Sequence, residues 1–253
     1  MCELLGVSSA EPIDISPYLR VFSEHGKKFP HGWGLFWQNS GGFEILKEPV
    51  CAAKSGVLGE LLENELPQKT ILAHIRYATV GSIKTVNCHP FQGTDNTGRL
   101  WTLTHNGSIY SGRNLTKFLN EQQGDTDSER VLLFIIDEIN KAQKDGSLTL
   151  RKRFDVVDAA IKKLAPRNKL NLMLYDGELL YVHKNMQNSL SCKRDGKGLV
   201  FATTPLDDGD WKDFPLSKVC AFRNGELVFE GKAHNEIFRS CLDLNNPFFA
   251  MNI

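Results

Sequence analysis

The sequence lacks the features that would direct the protein to a membrane, a nucleic acid or the export pathway. No apolar run approaches the length that spans a bilayer, and no basic segment followed by an apolar segment opens the chain. The 30 Lys and Arg residues equal the 30 Asp and Glu residues, so no excess positive charge favours nucleic acid or an anionic membrane. We therefore expect a cytoplasmic protein with neither kind of partner.

The cysteine pattern gives no indication of a metal site. The six cysteines are scattered over positions 2, 51, 88, 192, 220 and 241, with no CxxC pair and no zinc-like spacing. In a chain without an export signal, we expect reduced thiols rather than a disulfide framework. Hydrophobic residues make up 41% of the 253 residues and charged residues 24%, as in ordinary globular proteins.

Short apolar runs separated by turn residues predict strands towards both ends of the chain, with two amphipathic helices between them. Strands from both ends can form two sheets packed on each other, with helices on the outer faces, which is an α+β arrangement. We expect one domain over residues 1–253, with a weakly patterned tail from about 233 to 253. The predicted helices cover 126–142 and 153–164, and the predicted strands cover 2–8, 33–38, 43–47, 71–77, 100–105, 170–175, 179–183, 199–203, 218–222 and 226–230.

Cys2, directly after the first methionine, is the first candidate for chemistry. If Met1 is removed, this residue carries a thiol nucleophile and a free α-amine, whose pKa of about 7.7–8.0 suits a base. The alternative is a buried residue of a first strand, because free cysteine often acts as a small hydrophobic residue.

The dipeptide Asn106-Gly107 follows a predicted strand and also has two interpretations. It is among the strongest signals for a two-residue hairpin turn. In a catalytic site, the side-chain amide and the backbone N–H of such a turn could instead donate to a developing oxyanion.

Arg76 and Asp127 are candidates for binding an amino acid. A guanidinium binds a carboxylate with two parallel hydrogen bonds, although Arg76 could equally form a structural ion pair. Asp127 lies near the start of a predicted helix, capped by Thr126 with Glu129 three residues later, where an acidic residue is favoured by the helix dipole. Alternatively, its carboxylate could pair with an ammonium, so that Arg76 and Asp127 together hold both ends of an α-amino acid.

These residues together resemble the class II glutamine amidotransferases. The matching segments have the same order and approximate spacing as in that family, and others resemble its stand-alone branch, so that the resemblance reaches about residue 230. It implies one domain, a four-layer αββα sandwich of the N-terminal-nucleophile hydrolase type. The family segments are residues 1–2, 76–81, 87–90, 104–107 and 125–129, and those typical of the stand-alone branch are 2–6, 31–34, 171–174 and 202–206.

The resemblance implies catalysis by Cys2 after the preceding methionine is removed. Asn106 and Gly107 would form the oxyanion hole for attack on the γ-carbonyl of glutamine or a γ-glutamyl amide. Neither a metal nor an organic cofactor is implied. His89 and His105 fall inside the matching segments and are expected to be architectural.

The resemblance also implies how the glutamyl group is bound. Arg76, helped by Thr79, would hold the α-carboxylate, and Asp127 would hold the α-amine. Many family members have a histidine where this chain has Val80, which cannot donate to a carboxylate. We therefore expect either glutamine or another γ-glutamyl compound as the small-molecule substrate.

Three functions follow from these observations. The first is an amidohydrolase that acts alone on a γ-glutamyl compound. The second is a glutaminase subunit that delivers ammonia to a separate synthase chain, because no synthase domain fits after the matching region. The third is a binding module without activity, against which the intact set of candidate residues argues.

Overall fold

The computed structural model of the protein describes residues 2–39, 42–144 and 146–239, so Met1 and residues 240–253 of the expected tail lie outside the described residues. The strands are β1 (Glu3–Asp14), β2 (Trp33–Asn39), β3 (Gly42–Glu48), β4 (Pro67–Ile75), β5 (Phe91–Thr94), β6 (Leu100–Ser108), β7 (Lys169–Tyr175), β8 (Leu180–His183), β9 (Ser191–Asp195), β10 (Gly198–Ala202), β11 (Lys212–Asp213), β12 (Val219–Arg223) and β13 (Glu226–Glu230). The α-helices are α1 (Ser16–Glu24), α2 (Gly56–Leu61), α3 (Asp127–Ala142) and α4 (Leu150–Leu164).

The described strands form two antiparallel sheets. A seven-stranded sheet has the order β11-β9-β10-β1-β4-β2-β3, and a six-stranded sheet has the order β13-β12-β8-β7-β6-β5. Strands that precede α3 and strands that follow α4 therefore occur in both sheets, as the prediction of strands on either side of two helices indicated.

Three apolar clusters divide the molecule into four layers. One lies between the six-stranded sheet and α3 and α4, one between the two sheets, and one between the seven-stranded sheet and α1 and α2. On β1, Leu4 faces the other sheet and Leu5 faces the helices, because side chains alternate along a strand. On β4, Leu72 likewise faces the other sheet and Ile71 faces the helices. The expected α+β fold, a four-layer αββα sandwich, is confirmed.

Strand pairing brings distant parts of the chain to one end of the sandwich. Glu3 at the start of β1 is opposite Ile75 at the end of β4 in the seven-stranded sheet. In the six-stranded sheet, Asn106 near the end of β6 is opposite Asn171 near the start of β7. A hydrogen bond from Asn106 to Cys2 joins the two sheets at this end.

Two local expectations have different outcomes. The helix predicted over 126–142 is present as α3, and the Thr126 side chain accepts a hydrogen bond from the Glu129 backbone over 3.2 Å, as expected of its cap. The strand predicted over 100–105 runs further, to Ser108, so Asn106-Gly107 lies inside β6 and the hairpin-turn interpretation is wrong.

Two expectations from composition can also be compared with the structure. The five cysteines in the described ranges are free thiols, whereas Cys241 lies outside those ranges. In the part of the chain that the structure describes, no helix has the length and apolarity needed to cross a bilayer.

Replacing Leu72 by alanine should test the packing between the sheets. The side chain is fully buried there, so Leu72→Ala should lower the free energy of unfolding by about 2–5 kcal/mol through lost burial and a residual cavity. Urea denaturation gives the measurement. Leu227→Ala is the matched control, because Leu227 on β13 is 51% exposed and its loss should change stability by less than about 0.5 kcal/mol. Equal effects of the two substitutions would contradict the assigned layers.

Candidate active site

Cys2 directly precedes β1 and lies against the chain that leaves β4. The backbone N–H of Tyr77 donates to Cys2 Sγ over 3.3 Å, and Sγ is 3.5 Å from the Tyr77 carbonyl oxygen. The residue is half-buried. Burial raises the pKa of its thiol, whereas the hydrogen bond from Tyr77 and the positive charges of Lys169 and Arg76 lower it. The sulfur is thus held in a fixed place with two cations in its surroundings.

The side chain of Asn106 connects Cys2 to the second sheet. Its Nδ2 donates to the Cys2 carbonyl oxygen over 2.6 Å, and its Oδ1 accepts from Lys169 Nζ over 3.0 Å. An amide nitrogen carries two N–H bonds, so one can hold Cys2 while the other donates to a ligand. Asn106 therefore lies where the sequence predicted an oxyanion donor, next to the candidate nucleophile.

Gly107 is required by close packing within β6 rather than by a turn. It is opposite Leu170 in the antiparallel pair with β7. A Cβ atom at this position would lie 2.0 Å from the Lys169 carbonyl oxygen and 2.2 Å from His105 Nε2. Only glycine fits there without displacing backbone, so the neighbour of Asn106 is set by packing between strands.

Arg76 is buried just after β4, and its guanidinium is directed at the loop that follows. Its Nη2 donates to the carbonyl oxygens of Val80 and Gly81 over 3.0 and 3.2 Å, and its Nη1 donates to that of Ser82 over 2.9 Å. The Asp125 carboxylate accepts from the Ser82 backbone over 3.1 Å. These contacts fix the shape of the loop 77–82.

Asp127 is the first residue of α3 and ties this helix to the chain that leaves β6. Its Oδ2 accepts from the Ile109 backbone N–H over 2.8 Å, and the residue is buried. A carboxylate at a helix N-terminus is stabilised by the helix dipole. Both interpretations of Asp127 stay open. Its position suits the start of a helix, and its carboxylate also contacts Ile109, which is two residues after Gly107 in the chain.

The predicted site residues are thus linked by a chain of contacts at one end of the sandwich. Cys2 contacts Asn106, which precedes Gly107, and the chain that follows contacts Asp127. Arg76 precedes Tyr77, whose backbone contacts the Cys2 sulfur. Thr79 is exposed on the same loop, and within the described residues no hydrogen bond joins it to the rest of the site.

Three buried histidines lie next to this end of the sandwich. The two ring nitrogens of His105 have partners, Ser128 Oγ at 2.9 Å and the Lys169 carbonyl oxygen at 3.2 Å. The rings of His74 and His89 are 3.9 Å apart, and their nitrogens have no hydrogen-bond partner among the described residues. Burial lowers the pKa of His74 to about 3 and that of His89 well below its ordinary value. Among the described residues, no three His, Cys, Asp or Glu side chains come together as a metal site.

Sequence reasoning missed two residues that contact the site. Lys169 opens β7 and reaches Asn106; the available signal was a charged residue at the head of an apolar strand. His31 accepts a hydrogen bond at Nδ1 from the Ala78 backbone over 2.9 Å, and its ring stacks on Tyr77 at 4.8 Å. His31 lies in a motif that the sequence singled out, but no role had been given to it.

Comparison with protein families gives a match over most of the chain. Residues 1–195 match the model of the class-II glutamine amidotransferases. YafJ of Escherichia coli K12, provisionally named a glutamine amidotransferase, is 26% identical over 72% of this chain and 72% of its own length. An uncharacterised protein of Methanocaldococcus jannaschii is 25% identical over 92% of this chain and 72% of its own length.

A solved structure shares the fold. The chain superposes on the glutamine phosphoribosylpyrophosphate amidotransferase of Bacillus subtilis with a TM-score of 0.69 and 18% identity, over 94% of this chain and 50% of that protein. At this identity the likeness concerns the fold alone, and it agrees with the four-layer arrangement described above.

Replacing Gly107 by alanine tests the close packing between β6 and β7. The added methyl group would overlap the Lys169 carbonyl oxygen, so Gly107→Ala should lower the free energy of unfolding by roughly 1–3 kcal/mol. Gly59→Ala is the matched control, because no atom lies within 4 Å of the Cβ position at this exposed site of α2. There alanine should stabilise the helix by up to about 1 kcal/mol. The proposed packing would be refuted if thermal unfolding gave both substitutions the same sign.

Proposed function

The chain belongs to the class II glutamine amidotransferases, and we propose that it is an amidohydrolase that cleaves glutamine or a γ-glutamyl compound through a thioester on Cys2. The observation that carries this proposal is the contact between Cys2 and Asn106 across the two sheets. This contact with the backbone carbonyl oxygen of Cys2 supports a role for the Asn106 amide as a donor in acyl transfer, which needs such a donor for its charged tetrahedral intermediate.

In the proposed mechanism, the Cys2 thiolate attacks the γ-carbonyl carbon. The thiol proton passes to the α-amine of Cys2, which becomes available as a base when Met1 is removed. One N–H of Asn106 Nδ2 and the backbone N–H of Gly107 stabilise the oxyanion. The amine leaves with the proton from the α-ammonium, and water then hydrolyses the thioester to release glutamate.

The α-carboxylate and α-amine of the glutamyl group are assigned to Arg76, Thr79 and Asp127. Arg76 is the cation directed at the loop beside Cys2, and Asp127 is the acid nearest the chain after Gly107. A guanidinium and a carboxylate suit the two charged groups of an α-amino acid.

The leaving amine is proposed to be larger than ammonia. Four apolar side chains are exposed on the two segments that flank the site, namely Tyr77, Val80, Ile83 and Tyr110. Exposed apolar side chains next to a site favour contact with a ligand or a partner. The same surface supports the second candidate function, a glutaminase subunit that docks on a synthase chain.

Replacing the nucleophile tests the mechanism. Cys2→Ala should lower the release of glutamate from glutamine or a γ-glutamyl anilide by about 10⁴-fold or more, because the covalent route is lost. Cys192→Ala is the control, since Cys192 is also half-buried but lies on β9. A Cys2→Ala enzyme with full activity would show the mechanism to be wrong.

The requirement for a free α-amine has its own test. A protease-cleavable extension can be placed so that cleavage leaves Cys2 as the first residue. Activity should be absent before cleavage and present after it, because the base is then created. Equal activity in the two samples would rule out the α-amine as the base.

A substrate screen separates the two candidate functions. Purified protein is incubated with glutamine, γ-glutamyl amides of increasing size and glutathione, and glutamate is measured. The amidohydrolase predicts turnover of one γ-glutamyl compound well above that of glutamine. Turnover of glutamine alone, increased when a synthase chain is added, would instead favour the subunit.

A further inference from the structure

Lys169 is a buried cation whose position calls for a physical reason. It opens β7 next to the candidate site, and the residue is only 6% exposed. Lysine is almost never buried to this extent unless its ammonium has partners, because desolvation of the charge is costly. Burial of this ammonium costs stability, and a role of Lys169 in the function of the site would account for that cost.

The contact with Asn106 shows what this cation can do. An ammonium only donates hydrogen bonds, so the atom of Asn106 that faces Lys169 Nζ at 3.0 Å must be the carbonyl oxygen Oδ1. The amide nitrogen Nδ2 is then directed at Cys2, where it donates to the backbone carbonyl over 2.6 Å. Lys169 thereby selects one of the two orientations of the Asn106 amide.

The charge of Lys169 acts on Cys2 as well. Burial raises the pKa of the Cys2 thiol, and the ammonium of Lys169 opposes that rise. A cation near a cysteine favours the thiolate, which is the reactive form. The same residue therefore serves both the nucleophile and the oxyanion donor.

We propose that Lys169 is a positioning residue of the active site: its ammonium fixes the Asn106 amide with Nδ2 towards Cys2 and stabilises the Cys2 thiolate. It acts through these two residues and exchanges no proton with the substrate. The inference rests on the proposed function in that it gives Asn106 and Cys2 their catalytic roles.

The ionisation of Lys169 gives the inference a pH signature. Burial lowers its pKa to about 8, whereas Cys2 and Glu3 act in the opposite direction. Among the described residues, further charged or titratable groups in this region are Arg76, which acts on Cys2, and His105, whose pKa is lowered by burial. Loss of the ammonium charge above about pH 8 should reduce the rate of acylation.

The effect on stability has the opposite direction. The pKa of Lys169 is lower in the folded protein than its ordinary value of 10.5, so the folded state binds fewer protons between about pH 8 and 10.5. The buried charge is therefore a cost to folding that is fully present below about pH 8 and is relieved as the pH rises. Removing the lysine at pH 7 should therefore recover this cost, which offsets the loss of the hydrogen bond to Asn106 Oδ1.

Three substitutions separate the two contributions of Lys169. Lys169→Met removes both the hydrogen bond and the charge, Lys169→Gln keeps a donor without charge, and Lys169→Arg keeps the charge. The control is Lys47→Met, because burial also lowers the pKa of Lys47, but its ammonium contacts the Pro90 carbonyl oxygen. Circular dichroism and thermal unfolding at pH 7 confirm that each variant is folded.

The first measurement is the rate of alkylation of Cys2 by iodoacetamide at pH 7, where Lys169 carries its charge, followed on the N-terminal peptide by mass spectrometry. Lys169→Met and Lys169→Gln should lower this rate by about tenfold, the equivalent of one pKa unit of the thiol, whereas Lys169→Arg and Lys47→Met should leave it near that of the parent protein. An unchanged rate in Lys169→Met and Lys169→Gln would overturn the assigned effect on the thiolate.

The second measurement is the steady-state kinetics of glutamate release. Lys169→Met should lower kcat by about tenfold to 100-fold, less than the ~10²–10³-fold expected for direct loss of an oxyanion donor, with little change in KM. Lys169→Gln should recover part of kcat, because its amide can still donate to Asn106 Oδ1. An unchanged kcat in a folded Lys169→Met enzyme would overturn the assigned effect on the oxyanion donor.

The two measurements also distinguish this inference from the function on which it rests. Alkylation needs no turnover. If the Lys169 variants differ from the parent protein in alkylation as described, but the parent protein hydrolyses no γ-glutamyl compound, the proposed reaction is refuted and the effect of Lys169 on Cys2 is kept. An active parent protein with unaltered Lys169 variants would refute the inference and keep the reaction.

Discussion

The side-chain amide of Asn106 is the contact on which the candidate site depends, because it joins the two sheets. It donates to Cys2, next to the first sheet, and accepts from Lys169 on the second. Neither contact exists unless β1 and β6 are stacked at the same end of the sandwich. The apolar cluster between the sheets, which includes Leu4 and Met173, therefore determines the geometry of the site as well as stability.

The surroundings of Cys2 contain cations but poor proton acceptors. Burial lowers the pKa of His74 to about 3 and lowers those of His89 and His105, so these imidazoles are neutral at pH 7 but weak bases. The charges that lower the pKa of the thiol come from Lys169 and Arg76 among the described residues. A base that is created only when Cys2 becomes the first residue fits these surroundings better than any of these three histidines does.

The sequence predicted the layers and named residues that the structure brings to one end of the sandwich, but it did not predict the contacts that depend on pairing between strands. The Thr126 cap and the start of α3 are local features, and they were predicted correctly. Asn106-Gly107 was mistaken for a possible turn, since the packing of Gly107 against the β7 backbone overrides its local preference. Lys169 was missed because its contact depends on the pairing of β6 with β7, and two helices separate these strands in the chain, so no turn fixes their register.

The contacts of Arg76 limit how it can bind a carboxylate. Both bidentate arrangements of a guanidinium use Nη2, paired either with Nη1 or with Nε. In this structure Nη2 already donates to the carbonyl oxygens of Val80 and Gly81. A substrate carboxylate that took both bonds would have to displace one of these oxygens, and the exposed loop carrying Thr79 and Val80 would then move. In the proposed binding mode, Arg76 therefore couples the glutamyl group to the conformation of the loop 77–82. On that proposal, a change at Val80 would alter selectivity without touching the carboxylate itself.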